Sequence, residues 1–280
     1  MTALVAAVAD LHINSTYGLS TPQVLLDNGA YYVASKSQKA ILKAWVQFWE
    51  FIERKKRELD AEVYAIVDGD LVDDNTHDDC DPITRNKSII IDHACSLMWP
   101  VRQAADFLFV VRGTEAHTGG HGEIEETVAK ELGAEKNTLT RRYSWWFLPL
   151  ETEGVTWDVV HHTDTFSRRP WTLDAAADRQ AAILRAEYLE RGVDVPNMAI
   201  RAHNHKWTLS NGRMPPWTFM LPPFCLTNAF GYRCGAGANA EPVGALWWAC
   251  EDGKVESWDI EQWAPQRVPT WRKGETRARR

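Results

Sequence analysis

Side chains able to hold a metal ion recur at the ends of apolar runs in this chain. They come in the order Asp10-Leu11-His12, Gly69-Asp70-Leu71-Val72-Asp73, His161-His162 and His203-Asn204-His205. Each fragment is ambiguous alone, since Asp-x-His pairs also cap turns and acidic loops are often only solvated. The loop with Asp68, Asp70, Asp73 and Asp74 is more telling, because carboxylates that close repel one another unless a cation sits among them. In an extended segment His203 and His205 lie on the same side, which suits two neighbouring metal positions. Together these residues make a mixed imidazole and carboxylate set suited to Mn, Fe, Zn, Ni or Co. Two such ions about 3.5–4 Å apart share a carboxylate and clamp both oxygens of an in-line phosphoryl displacement. Asp70 is the natural bridge, because Gly69 beside it permits close backbone approach.

The elements that must position them are legible as periodicity. Short apolar runs at 3–9, 62–67, 107–111, 155–160 and 198–202 predict buried strands, and each stops at polar residues. Residues 35–59 carry Ile41, Leu42, Trp45, Phe48, Trp49 and Ile52 at helical spacing. Further helices are predicted over 83–105, 123–132 and 173–191, with Gly133 and Gly192 closing the last two. Residues 142–150 and 155–160 predict a β-rich pair joined at Glu153-Gly154, and 245–250 with 254–258 a hairpin around Asp252-Gly253. Strands alternating with helices predict an α/β fold whose working crevice lies beyond the strand carboxyl ends.

In this order and spacing the motifs resemble the calcineurin-like metallophosphoesterase superfamily, whose pattern runs D-x-H, G-D-x-x-D, G-N-H-D/E, H and G-H-x-H. The matching residues are Asp10-Leu11-His12, Gly69-Asp70-Leu71-Val72-Asp73, Gly113 onward, His161, and Ala202-His203-Asn204-His205. The resemblance covers roughly residues 10–205 and implies a four-layer αββα sandwich of metallo-dependent phosphatase type with a dinuclear site above the strand ends. It implies that Asp10, His12 and His205 hold one metal, that His161 and His203 hold the second, and that Asp70 bridges. It implies Mn first among the ions, with Fe, Zn, Ni or Co as alternatives. Asp73 is expected to orient a ligand histidine, a role that metal-bound imidazoles require.

Two departures stand out. Ala202 replaces the glycine of G-H-x-H, a small change. The third motif reads Gly113-Thr114-Glu115-Ala116-His117, so Thr114 stands where a metal-binding Asn amide is expected. Glu115 or a water then becomes the candidate replacement ligand. His117, two positions beyond the usual place, is the candidate general acid for the leaving oxygen. This Gly-Thr-x-x-His variant, with a later His-His and Arg pattern, is similar to phosphoesterases encoded by bacteriophages. Arg168 and Arg169 follow His161 and are candidates to neutralise a substrate phosphate, with plain surface charge as the alternative. His77 and His121 are expected to be loop histidines. The aromatic segment 207–224 is expected to be packing rather than a platform for a planar group.

Composition bounds the remainder. Of 280 residues, 45% are apolar and 25% charged, which excludes wholesale disorder. The formal charge of −7 argues against a protein that coats nucleic acid or anionic membrane. Five scattered cysteines without a C-x-x-C pair form neither a disulfide framework nor a zinc ribbon, and point to a reducing cytoplasm. No run approaches the 18 apolar residues of a membrane span, and the first apolar run has no basic region before it, so no secretory signal or membrane partner is expected. One domain over 1–268 and a basic tail over 269–280 are the expected organisation. The function the family resemblance implies is hydrolysis of a phosphate mono- or diester, nucleotides and nucleic acid included, by a metal-bridging hydroxide. The rivals are a catalytically silent binding scaffold and a nuclease.

Overall fold

The computed structural model describes residues 1–74, 81–118, 122–163, 172–227 and 242–264. His77, His121, Arg168, Arg169 and the 269–280 tail lie outside the described residues. The strands, in chain order, are β1 (Thr2–Val8), β2 (Gln23–Leu25), β3 (Tyr31–Val33), β4 (Ala61–Asp68), β5 (Phe107–Val111), β6 (Ser144–Trp145) and β7 (Leu148–Thr152). They continue with β8 (Val155–Val159), β9 (Met198–Arg201), β10 (Thr208–Leu209), β11 (Trp217–Met220), β12 (Val243–Glu251) and β13 (Lys254–Trp263). The helices are α1 (Lys36–Leu59), α2 (Lys87–Ala104), α3 (Glu115–Thr118), α4 (Glu123–Glu131) and α5 (Leu173–Glu190).

The near-continuous apolar run of β1 is explained by burial on both faces. Leu4, Ala6 and Val8 pack with Trp45, Phe48 and Trp49 of α1, Leu97 and Met98 of α2 and Val128 of α4. Ala3, Val5 and Ala7 face Trp157, Ile200 and Phe219 of the other sheet. The first sheet has the order β13-β12-β1-β4-β5-β6, parallel from β1 to β6 and antiparallel at β12 and β13. The second has the order β10-β11-β9-β8-β7, with β11, β9 and β8 parallel. Ala176 and Ala177 of α5 pack on Met220 behind it. The layers are therefore helices, sheet, sheet, helix: an α/β four-layer sandwich, as expected.

Local chemistry sets the boundaries. Ser35 caps α1 in a reciprocal box with Gln38, an arrangement worth about 1 kcal/mol. The predicted helix from residue 83 begins later, because Ile83 and Thr84 donate their amides to Asn14 and Asn86 is the cap of α2. The predicted β segment 142–150 is divided between sheets: β6 pairs with β5, whereas β7 pairs with β8. The β2–β3 hairpin has no counterpart in the sequence reading.

The pairing of β1 with β4 continues past the strands into the loops. Asp10 donates to Gly69 O, His12 to Asp70 O and Ile13 to Leu71 O, while Asp73 donates back to Ile13 O. Ala202 donates to His161 O and Phe224 to Ala9 O, which draws the second sheet's loops to the same place.

Candidate metal centre

Five of the sequence-derived candidate ligands sit in the left-handed backbone region: Asp10 (φ 53°), His12 (45°), Asp70 (46°), His203 (70°) and His205 (51°). A non-glycine residue there costs about 1–3 kcal/mol and persists only where its surroundings over-determine it. For Asp10, His12 and Asp70 the inter-loop backbone bonds above supply that determination. Gly69 (φ 74°) has no room for a side chain, since a Cβ would overlap the His161 ring.

The side chains converge. His161 Nε2 lies 3.1 Å from Asp70 Oδ2 and 3.8 Å from Asp10 Oδ1. His205 Nε2 lies 3.3 Å from Asp10 Oδ1 and 3.1 Å from His12 Nε2. Ring contacts place His203 beside His161, with centroids 5.5 Å apart. Ligand atoms of Asp70, His161 and His203 form one cluster within 4.8 Å, and those of His12, Asp70 and His117 form another, so Asp70 is common to both. Yet both Asp10 oxygens, His161 Nε2 and His203 Nδ1 are buried without a hydrogen-bond partner. Unsatisfied buried polar atoms of this kind are rare and call for an explanation such as an ion.

The outer nitrogens are spoken for. His12 Nδ1 is 3.3 Å from Asp73 Oδ2, and His161 Nδ1 is 2.6 Å from Asp68 O, which leaves each Nε2 as the nitrogen available to an ion. Two imidazole nitrogens 3.1 Å apart have the spacing of ligands about 2.1 Å from one ion at a right angle. The donor set therefore fits divalent transition ions.

Electrostatics agree. Burial would raise the Asp70 and Asp10 carboxyls, but the neighbouring imidazoles outweigh it and hold both below the ordinary range, Asp70 well below. Burial opposes charge on His161, but Asp70 and Asp10 raise it to about 10. His203 is pushed down to about 4 by burial and by His161. Carboxylates that keep a proton on a fully buried imidazole at such pH make a strong cation field.

Asp73 is a hub. Its Oδ2 accepts from Tyr17 Oη at 2.9 Å and lies 3.1 Å from His117 Nδ1, besides its contact with His12. The His117 ring stands edge-on to His12 with centroids 4.5 Å apart. Thr114 donates its N–H (2.6 Å) and its hydroxyl (3.1 Å) to Asp70 Oδ1. It thus occupies lone pairs of the central carboxylate instead of offering an amide oxygen. Glu115, named above as a replacement ligand, is exposed on α3. His162 is also exposed, whereas its neighbour His161 is buried.

Three buried groups carried no assigned role in the sequence. Asp68 has both oxygens without a partner, and burial pushes it up to about 7. Cys225 Sγ lies 3.8 Å from His205 Nδ1. Glu125 sits between two motif loops and is raised by burial to about 7. The aromatic segment is packing: Trp207, Trp217 and Phe219 contact Trp258, and Phe219 contacts Trp248.

No protein-family model and no curated protein matches the sequence. Among solved structures, a single mutant of Vps29 from Entamoeba histolytica matches at 12% identity and a TM-score of 0.34, covering 93% of this chain and 99% of that one. The sulfate thiohydrolase SoxB of Thermus thermophilus matches at 12% identity and a TM-score of 0.44. That match covers 93% of this chain but only 56% of SoxB. Scores this low leave the architecture and the site to be argued from the chain itself.

Proposed function

We propose that this protein is a metal-dependent phosphoesterase of the calcineurin-like metallophosphoesterase superfamily. One observation carries the reading: Asp10, His12, Asp70, His161, His203 and His205 come from four separate loops to one place, mostly on strained backbone, and both Asp10 oxygens, His161 Nε2 and His203 Nδ1 are buried there without a hydrogen bond. In this reading Asp10, His12 and His205 hold one divalent ion, His161 and His203 hold the second, and Asp70 is shared, with Mn the first candidate. Ions held in this way supply Lewis acidity to a phosphoryl group and an activated water.

The chain's own residues do the rest. Asp73 and the Asp68 carbonyl fix the tautomers of His12 and His161. Thr114 orients the Asp70 carboxylate. His117, tethered to Asp73, is assigned to proton delivery to the leaving oxygen. Arg168 is assigned to the substrate phosphate on the sequence alone. The substrate is a phosphate mono- or diester, nucleotides and nucleic acid included. Residues 1–268 are proposed as one domain and 269–280 as a tail. The third-motif variant is proposed to place the protein among bacteriophage-type enzymes, acting in the host cytoplasm.

Thr114 favours a second reading, a silent binding scaffold, because a hydroxyl already engaged with Asp70 is a poor ligand. Screening phosphomonoesters and diesters with Mn, Ni and Zn decides between them. Hydrolysis abolished by a chelator supports the enzyme, and silence with metals bound supports the scaffold.

A further inference from the structure

Glu125 lies in the first turn of α4 and is fully buried. Its Oε1 accepts from Leu71 N–H at 2.9 Å and its Oε2 from Gly113 N–H at 2.9 Å. Those amides belong to the two loops that carry Asp70 and Thr114. Thr114 in turn donates twice to Asp70, so one carboxylate closes a ring through both loops. The loops touch so closely at Gly113 that a Cβ there would overlap Asp70. Burying a carboxylate is expensive unless it is bonded. The two N–H bonds and the positive end of α4 offset part of that cost.

The peptide joining Asp70 to Leu71 is held at both ends. Its C=O accepts from His12 N–H at 2.9 Å, and its N–H donates to Glu125. The preceding plane is held as well, because Gly69 C=O accepts from Asp10 N–H, so the two planes together hold Asp70 in its left-handed conformation and the Thr114 bonds aim its carboxylate. Glu126 next door has a different task. It accepts from Tyr143 N, Ser144 N and Ser144 Oγ and contacts Arg112, anchoring the helix to β6 away from the ligands.

We propose that Glu125 is a positioning residue that sets the Asp70 carboxylate between the two metal positions. This inference rests on the dinuclear reading above, and its test reads metal affinity rather than turnover. Glu125→Gln is nearly isosteric, but its amide accepts from only one of the two N–H groups and opposes the other with a second donor. In the full chain, Mn binding measured by chelator competition is expected to weaken roughly 10–100-fold, the usual range for residues behind metal ligands. Glu126→Gln is the comparison: it lowers the melting temperature and leaves Mn affinity at the wild-type value.

Wild-type affinity in Glu125→Gln overturns the proposal, as does equal weakening in both variants. If Glu125→Gln does not fold, Glu125→Asp carries the test, because it keeps the charge but is one methylene too short to span both amides. Weaker Mn binding with an unchanged circular dichroism spectrum then supports the proposal, and wild-type binding overturns it. A wild-type protein that binds no Mn, Zn or Co overturns the dinuclear reading, and this inference falls with it.

Discussion

At the scale of single residues, His117 and Asp73 divide the chemistry from its support. A poor leaving group must be protonated as it departs, whereas nitrophenolate leaves largely unaided. His117→Ala is therefore expected to lower turnover of alkyl or nucleoside esters by roughly 10²–10⁴ and that of nitrophenyl esters much less, measured side by side. Equal losses rescued by added metal would make His117 a ligand instead. Motif spacing in the sequence reached His117, because histidine two positions beyond an expected site is still visible. It did not reach Glu125, which reads as one more acidic residue in a helix's first turn, nor the left-handed backbone of the ligands, which depends on bonds between distant loops. A second residue-scale prediction concerns His93, which burial holds down to about 4 against 6.5 when unfolded. It accepts from Thr21 N–H at 3.0 Å and so must stay neutral. Between pH 6.5 and 4 the unfolded chain binds the extra proton, so stability falls as pH drops through that window, by up to about 3 kcal/mol. Melting curves across this range should flatten in His93→Gln, whose carbonyl still accepts the Thr21 bond.

At the scale of elements, tryptophan carries much of the packing, and its N–H groups are not equivalent. Trp45 of α1 donates to Leu97 O of α2 at 2.9 Å, tying the two outer helices together. Trp248 of β12 is fully buried between the sheets with its N–H unpaired. Trp45→Phe loses a hydrogen bond as well as volume, whereas Trp248→Phe removes an unsatisfied donor along with the volume. The first is expected to destabilise more than the second by about 1 kcal/mol in denaturant titration. A reversed order would show that cavity terms dominate. The periodicity of α1 and the apolar run of β1 were legible because each is set by burial within one element. The division of residues 142–150 between two sheets was not, because strand partnership depends on what lies across the gap.

At the scale of the whole molecule, two sheets bring their loops to one edge, and no helix among the described residues is long and apolar enough to cross a membrane. Asp10, His12, Asp70, His161, His203 and His205 belong to loops drawn from both sheets, and the arrangement exists only when both sheets are packed. A divalent ion that binds only the folded chain should therefore raise the melting temperature in a concentration-dependent way. At 100 times its dissociation constant the gain is about 2.7 kcal/mol. Calcium, which prefers six to eight oxygens, should do much less than Mn or Zn. The most direct test of the central claim is metal stoichiometry by elemental analysis of the purified chain reconstituted with Mn, compared with Asp70→Ala. The account predicts up to two ions per wild-type chain and the loss of most of both in the variant, because one carboxylate serves both positions. Full occupancy in Asp70→Ala would contradict it.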